Sequence, residues 1–255
     1  MESMRPLDKR IEEKKSVTPL KRKSIIAVGV FWMSLSLVNP AMAVTGGTMS
    51  FQVDGAKTKL AIVTGKEGIA SGFAHRHIIV ARGVSGHVEL SGSKDQSATQ
   101  IKSAIADVEF LVDQMAVDSV ADAAGIIPML VSAGVWNESE DKIEPSNGEQ
   151  VRKNMLAESQ LDGKRFPKIM GHGVLSQCQA VGPDESQCSL SLTLTIKGAS
   201  VKRDLQAKLM GRGSQLEAQF SAPMKFSDFG MTAYSAMMGA IRVSDAILIA
   251  AVIRL

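Results

Sequence analysis

The sequence predicts a mainly β protein built on an antiparallel sheet. Three observations carry that prediction. In the first, Leu190, Leu192, Leu194 and Ile196 alternate with Ser191, Thr193 and Thr195, and Leu205, Ala207 and Leu209 alternate with Gln206 and Lys208. Leu216, Ala218, Phe220, Ala222, Met224 and Phe226 alternate in turn with Glu217, Gln219, Ser221, Pro223 and Lys225. Period-two patterning means strands with one face in a core and the other in water. In the second, Lys197-Gly198-Ala199-Ser200 and Gly211-Arg212-Gly213-Ser214 interrupt the alternation where turns belong, which makes the three strands a meander. In the third, Ala104, Ala106, Val108, Phe110 and Val112 alternate with Asp107 and Glu109 far upstream, so the sheet extends beyond the meander. A long meander with one apolar face must cover that face with a second sheet or close into a barrel. A barrel, in turn, is either packed solid or hollow enough for an apolar guest.

The chain has 255 residues, 45% hydrophobic and 4% aromatic, a length that suits one large domain or two small ones. Its net charge of +3 belongs to the first 43 residues, which hold eight Lys/Arg and four Asp/Glu. The remainder has 21 basic and 22 acidic residues, which gives no electrostatic footprint for nucleic acid. Residues 1–43 read as a signal peptide. A basic stretch ends at Lys21-Arg22-Lys23, an apolar run of about 14 residues follows from Ile25 to Val38, and Ala41-Met42-Ala43 is an A-x-A cleavage pattern. The run is short of the roughly 20 residues that span a bilayer. The expected mature domain is 44–255, and the expected location is the periplasm. An oxidising compartment suits the two cysteines. Cys178 and Cys188 flank a segment with the turn signal Gly182-Pro183-Asp184, so a disulfide between them staples a hairpin. The chain-entropy model gives so small a loop about 2–3 kcal/mol of stabilisation.

In chain order, Thr48 to Asp54 and Lys59 to Thr64 read as short strands divided at Gly55. Phe73 to Leu90 is extended, with Gly83 and Gly86 marking a bend, and His87 faces away from Val84, Val88 and Leu90. From Met115 to Lys164 the alternation stops. Val117 to Val135, interrupted by Pro128, reads as one or two short helices or a flap, and Asn137 to Asn147 as a polar loop. Gly148 to Leu161 reads as a short amphipathic helix presenting Val151 and Met155. Strands resume at Lys168. The last segment, Val243 to Leu255, is apolar on both faces, so both must be covered.

The order of these landmarks resembles the YceI-like family of lipid- or polyisoprenoid-binding domains. The resemblance rests on Ala74-His75-Arg76-His77 leading to Gly86-His87-Val88-Glu89-Leu90, and on Met155-Leu156 followed by Arg165-Phe166-Pro167-Lys168-Ile169. It continues in Leu192-Thr193-Leu194-Thr195-Ile196-Lys197-Gly198-Ala199, then in Ser227-Asp228-Phe229-Gly230-Met231 and Val243-Ser244-Asp245. This chain departs from the family pattern in its His-x-His segment and in its cysteine hairpin. The resemblance implies a lipocalin-like antiparallel β-barrel with one or two short helices near one end. It also implies an apolar tunnel for an isoprenoid, quinone or fatty chain, held without a cofactor, and export to the periplasm. A carrier of such a chain is expected to meet inner-membrane proteins transiently.

On that reading Ala106, Val108, Phe110, Leu216, Ala218, Phe220, Met224 and Phe226 line the tunnel; the alternative is an ordinary filled core. Met129, Met231, Met237 and Met238 are candidates for an adaptable rim. His75 and His77, two residues apart on extended chain, point the same way and are the best candidates for the polar end of a ligand. The rival reading makes them the start of a metal or redox-accessory site, which needs a third ligand such as His172. An enzyme is not indicated, because no G-x-S-x-G elbow, H-E-x-x-H or phosphate loop occurs.

Overall fold

A computed structural model describes residues 47–69, 75–93, 95–236, 238 and 240–255. The expected signal peptide and Met237 lie outside the described residues. The strands are β1 (Thr48–Gln52), β2 (Lys59–Glu67), β3 (Ile78–Val80), β4 (Ser85–Ser91), β5 (Ala104–Leu111), β6 (Ala116–Val117), β7 (Lys168–Gly182), β8 (Glu185–Ile196), β9 (Ala199–Met210), β10 (Glu217–Lys225), β11 (Ser235–Ala236) and β12 (Ile241–Arg254). Three short helices, α1 (Val120–Ala123), α2 (Ile127–Ser132) and α3 (Gly148–Leu156), interrupt them.

The strands form one antiparallel sheet in the order β1-β4-β5-β7-β8-β9-β10-β12-β2-β3-β6, with β11 paired to β12. The sheet curls around its own apolar face, so that β2 and β3 from one end line the same interior as β4 and β5 from the other. Among the described residues no ladder joins β6 to β1. The curl is an open-seamed barrel.

The meander forms as its alternation requires. In β8 every second residue from Ser186 to Ile196 is buried. Its turn into β9 uses Lys197 and Gly198, both at positive φ (51° and 77°), the backbone of a two-residue hairpin. The Phe166 ring lies 2.9 Å from where a Gly198 Cβ would sit, so two of the quoted motifs meet at this turn. β9 and β10 pair over only three residues, Lys208 to Met210 with Glu217 to Gln219, and then diverge. Across the divergence Arg203 Nη2 donates to Asp228 Oδ2 at 2.6 Å. Strand β10 ends at Lys225 rather than running through Phe226. Phe226 is already helical (φ −58°, ψ −41°) and enters a 3₁₀ turn at Ser227–Phe229. That turn is pinned by Asp245, which accepts the Ser227 N–H at 2.9 Å and its hydroxyl at 2.6 Å. The Ser227 hydroxyl, with its backbone N–H, holds the Asp245 carboxyl below the usual carboxylate range.

β7 and β8 are joined by the disulfide between Cys178 and Cys188. The ladder shifts register beside it, between Ser176 and Gln179. The hairpin turns at Pro183-Asp184, as its sequence indicated.

The second apolar face of β12 is explained by a second core. Ile247, Ile249, Ala251 and Ile253 face the interior. Ala250 and Val252 join Ala61, Val63, Ile78 and Val80 on the outer face, under Ala123, Ile126, Leu130 and Trp136. The α1–α2 segment is therefore a cover on the outside of the barrel wall. Ser119 caps α1 by accepting the Asp122 N–H. Arg82 Nη2 donates to Asp122 Oδ2 at 2.6 Å and ties the cover to the turn after β3.

This attachment makes the cover acid-sensitive. Hydrogen bonds from Arg82, and then from the Ser119 hydroxyl, hold the Asp122 carboxyl below its ordinary value. A carboxyl depressed on folding contributes stability above its unfolded pKa of about 3.9, and that stability is lost as pH falls through the folded value. Amides of 120–132 are expected to lose protection between pH 5 and pH 3 beyond the intrinsic change in exchange rate. Asp122→Ala should show the weaker protection already at pH 5. Equal protection in both proteins at both pH values contradicts the assignment.

Candidate apolar binding site

The interior of the barrel holds a cavity of about 100 Å³ walled almost entirely by carbon. Each wall strand supplies its inward row. Ala104, Ala106, Val108 and Phe110 come from β5, Leu190, Leu192, Leu194 and Ile196 from β8, and Ala207 and Leu209 from β9. Strand β7 supplies Gly171 and Gly173 to the same wall. In register these glycines oppose Val108 and Ala106 on one side and Leu194 and Leu192 on the other. Small residues side by side on neighbouring strands leave the space that larger ones would fill.

A second chamber of about 150 Å³ adjoins the first and shares Ile62, Ile79 and Ile196 with it. Its other walls include Val151 and Met155 of α3, Phe226 and Met231, with the polar residues His77, Thr64, Asn154 and Gln160 also at its border. Each chamber is smaller than the roughly 300–1,000 Å³ of compact ligand pockets. At the opposite end, a 3₁₀ turn at Ala98–Gln100 buries Ala98, and the Ser186 hydroxyl donates to the Ala98 carbonyl at 3.1 Å.

The structure divides the candidate lining residues. Ala106, Val108, Phe110, Leu216, Ala218 and Phe220 line the first chamber. Phe226 lines the second, because the chain leaves the strand before it. Met224 lines neither and is buried in the core at 3% exposure. Of the candidate rim methionines, Met231 lines the second chamber, Met129 packs with the outer cover and Met238 is fully exposed.

The histidines also divide. His77 borders the second chamber, and His75 packs edge-on against it with ring centroids 4.8 Å apart. His75 lines neither chamber, and its Nε2 is buried with no hydrogen-bond partner. His77 Nδ1 lies 2.7 Å from Asp118 Oδ2, and its backbone N–H donates to the Thr64 hydroxyl. Asp118 is fully buried, and its Oδ1 accepts the Ile78 N–H at 3.0 Å. It occupies the left-handed region (φ 51°), a conformation that Asp adopts more readily than most residues. The expected third partner, His172, lies elsewhere. It sits on the outer face of β7 with Nδ1 2.7 Å from Asp107, which also faces His87. Sequence reasoning passed over Asp118 because a single Asp before a short helix carries no spacing signal. It passed over Gly171 and Gly173 because glycine in a strand reads as a weak spot rather than a wall.

The fold and the interior define a class of protein: a curled antiparallel β shell around a carbon-walled cavity. The chain belongs to the YceI-like domain family, whose model matches residues 51–255. Among solved structures it is similar to BcnA of Burkholderia cenocepacia, at 15% identity and a TM-score of 0.49, covering 79% of this chain and 98% of that one. It is also similar to a polyisoprenoid binding domain from Saccharophagus degradans implicated in plant cell wall breakdown, at 12% identity and a TM-score of 0.47, covering 79% and 95%. A YceI protein of Campylobacter jejuni is 15% identical with a TM-score of 0.42, covering 68% and 80%. No curated protein matches the chain.

Proposed function

We propose that this protein is an exported carrier that sequesters one apolar chain, such as a polyisoprenoid, an isoprenoid quinone or a fatty-chain lipid, and does no chemistry on it. The observation that carries this reading is the pair of adjoining chambers, the inner one walled by carbon and the outer one bordered by His77. Binding is by burial, with Ala106, Val108, Phe110, Leu216, Ala218 and Phe220 around the chain and Phe226 further out. His77 is the polar contact at the outer end, and His75 backs it. Export is supported by the leader sequence and by the Cys178–Cys188 disulfide, a bond that persists in oxidising compartments. Delivery or collection at the inner membrane follows from the nature of the cargo.

Burial-driven binding has a measurable signature. Each CH₂ transferred from water contributes about 0.8 kcal/mol, roughly fourfold in affinity. Titration with prenyl or alkyl phosphates of increasing length should show that gain at each added carbon until the bore is filled, and then a plateau. Affinity that ignores chain length contradicts the carrier reading.

A further inference from the structure

His75, His77 and Asp118 are the one group of metal-ligating side chains that the described residues bring together in this way. Each offers one ligand atom, and the three atoms lie within 4.8 Å of one another. A second, independent observation is the His75 imidazole itself. Its Nε2 is buried and unpartnered, whereas the other buried side-chain nitrogens and oxygens among the described residues have partners. Such an atom costs free energy unless something absent from the protein completes it. Neighbouring groups are already committed away from this point. Arg76, between the two histidines in sequence, pairs with Asp141 at 3.0 Å and donates to the carbonyls of Val135 and Thr64.

From this geometry we infer a transition-metal site of the Zn²⁺ class, held by the two imidazoles and the Asp118 carboxylate. Imidazole nitrogen with one carboxylate is a donor set for Zn²⁺, Cu²⁺, Ni²⁺ or Fe²⁺ and a poor one for Ca²⁺ or Mg²⁺, which require oxygen. Ligands about 2.0–2.2 Å from a tetrahedral ion stand roughly 3.4 Å apart, so the widest separation, 4.8 Å, must close by about 1.4 Å, while His77 Nδ1 and Asp118 Oδ2, 2.7 Å apart, must open by about 0.7 Å. Coordination through His77 Nδ1 replaces its hydrogen bond to Asp118 Oδ2, and the proton of that bond is released to solvent. With three protein ligands, the fourth position is free, and His77 places the site at the border of the outer chamber. A bound ion would give that end of the bore a Lewis-acidic anchor for water or for an anionic head group.

The test uses the mature protein, stripped with chelator and free of lipid, with Zn²⁺ alone as the probe. The expected result is one Zn²⁺ per chain by elemental analysis. The melting temperature should rise by roughly 5–10 °C when Zn²⁺ stands 100-fold above its Kd. His75→Leu is the decisive variant. Replacing an unsatisfied buried nitrogen with carbon should leave the metal-free melting temperature equal or higher, yet abolish the Zn²⁺-induced rise. His172→Ala, on the outer face, should keep both. A Zn²⁺ response that survives His75→Leu, disappears in His172→Ala, or is absent from the parent protein overturns the site. Because no lipid is present, none of these outcomes bears on the carrier reading.

Discussion

Gly173→Leu is expected to abolish high-affinity binding of a long apolar chain while leaving the protein folded. Gly173 lies on the inner face of β7, between Ala106 of β5 and Leu192 of β8. A Cβ at this position meets only a methyl of Leu190, at 3.2 Å, and a leucine side chain then extends into the bore. Shortening the available channel by about four CH₂ groups costs on the order of 3 kcal/mol of binding, roughly 200-fold in affinity. The Leu190 methyl must yield by a few tenths of an ångström, a cost offset by leucine's better fit to a strand, so stability should change little. The control is Thr193→Leu, whose register partner His172 marks the outer face. It places the same leucine side chain on the outer face, where no ligand passes. Equal affinity in the parent and Gly173→Leu, by titration with a long-chain prenyl phosphate, contradicts the placement of the chain inside the barrel.

Asp118→Ala is expected to cost about 3 kcal/mol of stability, because it strips two buried groups of their partner at once. The Ile78 N–H and His77 Nδ1 both meet this carboxylate, and Asp118 has no exposure to water. The two bonds fix β3 against the segment entering α1, where the outer cover begins. For a domain of this size the melting temperature should fall by roughly 6–12 °C in scanning calorimetry. Asp118→Asn keeps an acceptor for Ile78 and should cost less. A melting temperature unchanged in Asp118→Ala means that this junction does not hold the cover. Trp136 is buried within that cover, against the outer face of the wall, so its fluorescence reports the loss independently of calorimetry.

The strands were legible where one wall of the barrel faces water, because water enforces alternation. The pattern in β8 translated residue for residue into burial. The both-sides apolar pattern of β12 correctly required a cover on its outer face, but periodicity could not say that α1 and α2 supply it. The end of β10 was misread, since Phe226 keeps the alternation while the Asp245 clasp on Ser227 has already turned the chain. The site was harder to read. Alternating Ala106, Val108 and Ala218 suggested unfilled volume, yet the volume exists because Gly171 and Gly173 sit beside them, a relation set by strand order. The histidine pair stood out by spacing alone. Its partner Asp118 lies 41 residues beyond His77 and meets it only through the pairing of β3 with β6.

Whether the barrel carries an apolar chain is settled by native mass spectrometry of the mature protein purified from its own host. The expected result is a bound species of isoprenoid or fatty-chain mass that disappears on organic extraction and is missing from Gly173→Leu. A parent protein that arrives at its bare polypeptide mass, and that takes up no long-chain lipid when offered it, would contradict the account and leave a packed barrel with no cargo.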